Sequence, residues 1–152
     1  MTGAEDEAWM RRAIELSRCC PQTDTAFSVG AVIVDAAGNE IANGYSRETD
    51  PHVHAEESAL AKLPADDPRL SSATIYSTLE PCAKRRSRPL TCTNLILRAG
   101  IPRVVIAWRE PDLFVSDVDG VETLRATGVT VDELLHLAAE ARAVNAHLPG
   151  IG

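Results

Sequence analysis

Four side chains restrict this chain more than anything else in it, because they are useful only if the fold gathers them. They are His54 and Glu56 in Pro51-His52-Val53-His54-Ala55-Glu56-Glu57, Cys82 in Leu79-Glu80-Pro81-Cys82, and Cys92 behind it. Zinc takes neutral imidazole and thiolate ligands, and a reactive site keeps three protein ligands so that water holds the fourth position. His54, Cys82 and Cys92 supply that count for Zn2+. Glu56, two residues past the histidine, is placed to work beside the ion without ligating it. A carboxylate there takes a proton from metal-activated water and delivers it to a ring nitrogen and a leaving amine, which is hydrolysis at an amidine carbon. His52 ranks behind His54 as ligand, since only His54 stands two before the glutamate. Taken singly, His54 reads as a helix cap, Glu56 as a solvated acid and the cysteines as buried filler. Their order and their places at strand-to-helix junctions favour the metal.

The rest of the chain supplies a frame. Residues 5–19 have amphipathic spacing, with acids in front and Arg11, Arg12 and Arg18 behind, and predict a first helix stopped by Pro21. Ser28 to Val34 predicts a strand buried on both faces, and a Gly/Asn turn leads to a second strand from Glu40 to Tyr45. Helical spacing returns from Ala55 to Leu63, with His54 at its start. A strand follows from Ala73 to Leu79, a helix from Thr91 to Ala99, and a strand from Arg103 to Trp108. A helix over 118–126, a strand at Val129 to Val131 and a helix from Asp132 to about Asn145 complete the pattern. The prediction is an α/β fold in three α/β/α layers, with a mixed central sheet of about five strands and helices on both faces. Leu134, Leu135, Leu137, Ala138 and Ala141 of the last helix are expected to pack on that sheet.

With 152 residues the chain has enough length for one domain with its own core, and the reading is a single domain over 1–152. Four cysteines without a leader-like start predict a cytoplasmic, thiol-reduced protein. Cys19 and Cys20, at the end of the first helix, read as packing residues. No apolar run approaches the length of a membrane span. Fifteen basic and twenty-two acidic side chains give a net charge of −7, which opposes binding to a polyphosphate chain and makes nucleic acid an unlikely partner.

The order His54-x-Glu56, Pro81-Cys82, Cys92 resembles the signature of the zinc-dependent cytidine deaminase superfamily. Nine residues separate the two cysteines here, where the usual spacing is two. That longer insertion, Thr78-Leu79-Glu80-Pro81-Cys82 before it and Pro89 within it look like the pyrimidine deaminase domain of riboflavin biosynthesis. Val29-Gly30-Ala31-Val32-Ile33-Val34 and Ala99-Gly100-Ile101-Pro102-Arg103-Val104-Val105-Ile106-Ala107 are similar to the same family. The resemblance spans about residues 8–132. It implies a cytidine-deaminase-like fold, hydrolytic release of ammonia from an aminopyrimidine, and a homodimer or homotetramer in which a neighbouring subunit completes the pocket. No reductase-like segment follows, which predicts that the next pathway step belongs to another chain.

Substrate contacts are read more broadly. Lys84, Arg85, Arg86 and Arg88, tied between the two cysteines, stand near the site and suit a phosphate, or else form a solvated loop. Ala26-Phe27-Ser28 replaces the Pro-Asn-Pro usual in the riboflavin enzymes. Phe27-Ser28-Val29-Gly30-Ala31 instead resembles nucleoside deaminases, so Phe27 is a stacking wall or a core residue. Ser46 and Asn43 are alternative polar contacts, and His52 and Ala55 flank the ligand histidine. The substrate is an aminopyrimidine, favoured as a nucleotide. Cytidine, deoxycytidylate, cytosine or guanine remain alternatives, and the contrasting class is a zinc-stabilised binding module without chemistry.

Overall fold

The computed structural model describes residues 3–82, 90–109 and 120–148. Strands β1 (Gly30–Val34), β2 (Glu40–Tyr45), β3 (Thr74–Leu79), β4 (Arg103–Trp108) and β5 (Thr130–Glu133) form one sheet in the order β2-β1-β3-β4-β5. The first two pairings, β1 with β2 and β1 with β3, are antiparallel. The β3–β4 and β4–β5 pairings are parallel. The helices are α1 (Gly3–Ser17), α2 (Ala55–Ala61), α3 (Cys92–Ala99), α4 (Gly120–Ala126) and α5 (Ala138–Ala143), with short 3-10 turns at Pro68–Ser72 and Leu135–Leu137. The mixed five-stranded sheet and its helical cover match the fold expected from the alternation of apolar runs.

Two glycines fix which helix covers which face. A Cβ on Gly30 would overlap the Ala13 carbonyl oxygen of α1, whereas one on Gly44 would meet backbone atoms of Ala55 and Ala59 in α2. Only the missing side chains let the helices approach so closely. Gly30 pairs with Tyr45 and Ala31 with Gly44, so alternate residues of β1 and β2 face opposite helices. Ala31 also pairs with Ser77, and the Tyr76 hydroxyl donates to Asp6 of α1 at 2.6 Å, which carries the same parity into β3. One layer holds α1 and α5, joined by Arg11 and Glu140 at 2.7 Å. The other holds α2, α3 and α4.

Every residue of β1 and β3 is buried, as double coverage demands. Ile33, Ile75, Val104 and Ile106 are fully buried, each stabilising the fold by about 1.5–3 kcal/mol through apolar burial. Beneath α1, Arg103 donates to both carboxylate oxygens of Asp6 at 3.0 and 2.7 Å and to Asp132 at 2.9 Å. Burial alone would raise the Asp6 pKa, but the hydrogen bonds from Arg103 and Tyr76 hold it below the ordinary carboxylate range.

The chain departs from expectation at its C-terminal end. Asp132 and Glu133 are not helical but extend β5, opposite Val105 and Ile106. Arg103 of β4 and Arg109 just past its end satisfy their carboxylates, and the Leu134 N–H donates to the Ile106 carbonyl at 2.8 Å. Leu137 and Ala141 do pack on the sheet as expected, whereas Leu135 is 60% exposed. Cys19, expected to pack, is exposed and Cys20 half-buried. Among the described residues no helix is long and apolar enough to cross a membrane.

Candidate metal and catalytic centre

Three separate elements converge at one end of the sheet. His54 is the residue before α2, Cys82 follows Pro81 beyond β3, and Cys92 opens α3. Thr91 caps α3 by accepting from the Asn94 N–H at 3.1 Å, so Cys92 sits in the first turn, where the helix dipole favours an anion. His54 Nδ1 lies 3.6 Å from Cys82 Sγ and 3.3 Å from Cys92 Sγ. All three donor atoms lie within 4.8 Å of one another. Two ligands of a common tetrahedral ion, bound at about 2.0–2.3 Å, stand roughly 3.5 Å apart, so the spacing fits zinc. The donor set fits it equally, with one imidazole nitrogen, two sulfurs and no fourth protein ligand in the cluster among the described residues.

The sulfur of Cys82 is prepared for a cation. The Cys92 thiol beside it lowers its pKa well below the ordinary thiol range; burial opposes this, and the nearby His54 ring adds to the lowering. The Cys92 backbone N–H also donates to Cys82 Sγ at 3.2 Å. Glu56, in the first turn of α2, is 4% exposed. It stands two residues past His54, the N-cap of the same helix.

Three residues that the motif reading passed over lock the Pro81-Cys82 backbone. Glu80 is buried and its carboxylate accepts from the Val121 N–H of α4 at 2.8 Å. Gly120 abuts the Pro81 carbonyl so closely that any Cβ would overlap that oxygen. From the other side, Thr93 donates its hydroxyl to Pro81 O at 3.3 Å and its N–H to Cys82 O at 3.1 Å. The sequence signal for Glu80 was its place in Leu-Glu-Pro-Cys; for Thr93 there was none.

The proposed substrate contacts separate. Phe27 is buried and meets Trp108 edge-to-face, ring centroids 5.8 Å apart at 88°. Ala55 is fully buried at the start of α2, and His52 is exposed on the turn leading into it. Ser46 is buried with its hydroxyl accepting from the Val29 N–H at 2.9 Å. Asn43 stands on β2. It pairs with Val32 on the α1 face, and its amide donates to Glu40, which Arg12 of α1 also engages. Lys84, Arg85, Arg86 and Arg88 lie outside the described residues. A hollow of about 380 Å³ lined by Ser17, Cys20, Ala143 and His147 lies on the α1 side, away from the ligand cluster.

A family model described as the cytidine and deoxycytidylate deaminase zinc-binding region matches residues 4–108, a span holding all three donors and Glu56. The chain belongs to this deaminase family. A diaminohydroxyphosphoribosylamino-pyrimidine deaminase of Schizosaccharomyces pombe is 41% identical over 94% of the chain. This chain spans about a third of that relative, 36% of its length. A protein of the same name from Buchnera aphidicola is 35% identical, over 83% of this chain and 82% of the relative. Among solved structures, the Aspergillus oryzae Rib2 deaminase (C-terminal deletion mutant) superposes with a TM-score of 0.82 at 26% identity, covering 96% of this chain and 94% of that one. The fold and the arrangement of layers are therefore those of cytidine-type deaminases.

Proposed function

We propose that this deaminase hydrolyses the exocyclic amine of an aminopyrimidine, in the form of a riboflavin-pathway nucleotide, and releases ammonia. The observation that carries the reading is the convergence of His54 Nδ1, Cys82 Sγ and Cys92 Sγ, with Glu56 buried two residues past His54. The names of the Schizosaccharomyces and Buchnera relatives support the substrate class. His54, Cys82 and Cys92 would hold a zinc ion, which when bound acidifies water and acts as a Lewis acid.

The chain's own groups do the rest. Glu56 accepts a proton from the attacking water and gives it to the ring nitrogen as that atom gains electron density; it then takes the remaining hydroxyl proton from the tetrahedral carbon and passes it to the amine, which leaves as ammonia as the C–N bond breaks and the carbonyl forms. Ala55 and His52 flank this acid in sequence and are proposed to border the ring. Phe27 would close the crevice from the β1 side. Lys84, Arg85, Arg86 and Arg88 are proposed to meet the substrate phosphate, supported by their four charges in a chain of net −7. One sheet with one core supports reading residues 1–152 as a single domain. We further propose a homo-oligomer working in the cytoplasm, without nucleic acid or membrane as partner.

The test is ammonia release by zinc-loaded protein against cytosine, guanine, cytidine, deoxycytidylate and the phosphoribosylaminopyrimidine with and without its phosphate. Turnover of the last compound, lost by about a thousandfold in Glu56→Gln with zinc retained, is the expected result. Turnover of another ring instead would replace the substrate. Tight zinc with no turnover of any would favour a non-catalytic module.

A further inference from the structure

One buried polar atom takes no part in the chemistry above. Trp108 ends β4, and its indole Nε1–H is buried with no hydrogen-bond partner among the described residues. The whole residue is 6% exposed. Native interiors hold few such atoms, because a desolvated donor without an acceptor is costly. An indole nitrogen only donates, so what it lacks is an acceptor.

The register says where this indole stands. Trp108 pairs with Leu79 across the parallel β3–β4 ladder, and Ile106 with Ser77. Ser77 shares its face with Ala31 and Gly44, the face covered by α2. The indole thus rises from the layer that carries His54, Glu56 and Cys92. Its backbone carbonyl accepts from the Glu80 N–H at 3.0 Å, two residues before Cys82. The ring therefore lies at the carboxyl ends of two parallel strands, the edge at which α/β sheets receive ligands.

Its orientation is also held. Phe27 meets it edge-to-face, and the Phe27 carbonyl accepts from the Arg47 guanidinium at 3.1 Å. The same guanidinium donates to Pro21 O at 2.8 Å and to Ser28 Oγ at 2.9 Å, tying the segment before β1 into place. An indole packed against a tethered phenyl ring has little freedom to turn its N–H elsewhere.

We propose that Trp108 is a specificity-determining contact whose indole N–H donates to an acceptor on the bound ring, an oxo oxygen or an unprotonated ring nitrogen. This rests on the deaminase reading above and deepens it. A donor at that edge favours an oxo-bearing aminopyrimidine and discriminates against a ring that presents an amino group there. Sites built to hydrogen-bond a substrate group reject analogues lacking it more strongly than apolar pockets do.

Trp9 and Trp108 are the two tryptophans of the chain, so the indole N–H region of a 15N spectrum holds two signals that Trp9→Phe assigns. Zinc-loaded Glu56→Gln protein, which binds without turnover, is titrated with the phosphoribosylaminopyrimidine, its dephosphorylated form, cytidine, deoxycytidylate and guanine. The expected result is a downfield move of the Trp108 indole proton, together with slower exchange with water, on saturation by the phosphorylated and dephosphorylated aminopyrimidine alike. In the otherwise native enzyme, Trp108→Phe should raise KM about tenfold and change kcat less than threefold.

Saturation seen at backbone amides with the Trp108 indole signal unmoved overturns the contact and leaves the deaminase reading standing. The same move caused by cytidine or guanine, with the aminopyrimidine unbound, supports the contact and overturns the riboflavin-type substrate. A move that requires the phosphate overturns ring recognition. Absence of binding by every compound overturns both.

Discussion

The buried carboxylate of Glu80 accepts the backbone N–H of Val121 at 2.8 Å, joining the strand end that carries Cys82 to the start of α4. Cys82 is thus braced from both sides, by α4 through Glu80 and Gly120 and by α3 through Thr93. Partners of this kind fix ligand orientation, and losing one typically weakens metal affinity by 10–100-fold. Glu80→Ala should weaken zinc binding by about tenfold in chelator competition, and Glu80→Gln, which keeps an acceptor, by less. Equal, undiminished affinity in both variants would show that α4 does not brace the ligand.

Removing the metal should separate catalysis from folding. The apolar core does not include the ligand cysteines, so a chelator is expected to abolish ammonia release while the far-UV circular dichroism keeps its native shape. Added zinc should restore activity. Collapse of the secondary structure on chelation would instead mark the ion as structural, as in small zinc-folded modules.

The Asp6–Arg103 pair predicts an acid-dependent loss of stability. The folded-state pKa of Asp6 is depressed, so its contribution is present above the unfolded value of about 3.9 and is lost as pH falls through the lower folded value. Asp6→Asn should lower Tm clearly at pH 7, and the gap from the parent should narrow as pH falls below about 4. A gap independent of pH would assign the loss to the Tyr76 hydrogen bond or to packing. Asp6→Ala leaves Arg103 half-buried beside Asp132 alone and should cost about 3 kcal/mol in denaturant unfolding.

The segment after β5 offers a local check. Leu137 is 1% exposed and Leu135 60% exposed, although both are leucines of one short turn. Leu137→Ala should destabilise by about 2–5 kcal/mol, and Leu135→Lys by less than about 0.5 kcal/mol. Comparable losses at both positions would mean that Leu135 is covered in solution, as a subunit contact would cover it.

Much of this architecture can be read from the residues because metal chemistry and strand burial demand particular types. His54, Cys82 and Cys92 were legible from spacing, and β2 and β4 from their apolar pattern and flanking turns. Asp132 and Glu133 were not, since their strand conformation is settled by Arg103 and Arg109, which are distant in sequence. Asn43 shows a different limit. A strand's face alternates with every residue, so one step of register decides between the α1 side and the α2 side, and only the pairing with Val32 settles it. Trp108 is legible as a strand end but not as a site residue, because its position beside Leu79 comes from a crossover.

The three donors belong to three different elements, with 27 residues between His54 and Cys82 and nine between Cys82 and Cys92. An unfolded chain would have to close both loops around an ion at its own entropic cost, whereas the sheet has already closed them. Metal capture is therefore expected to come late, after β3 has paired and α3 has docked. Zinc content per chain then serves as a gauge of how much of a preparation, or of a variant library, has reached the native state.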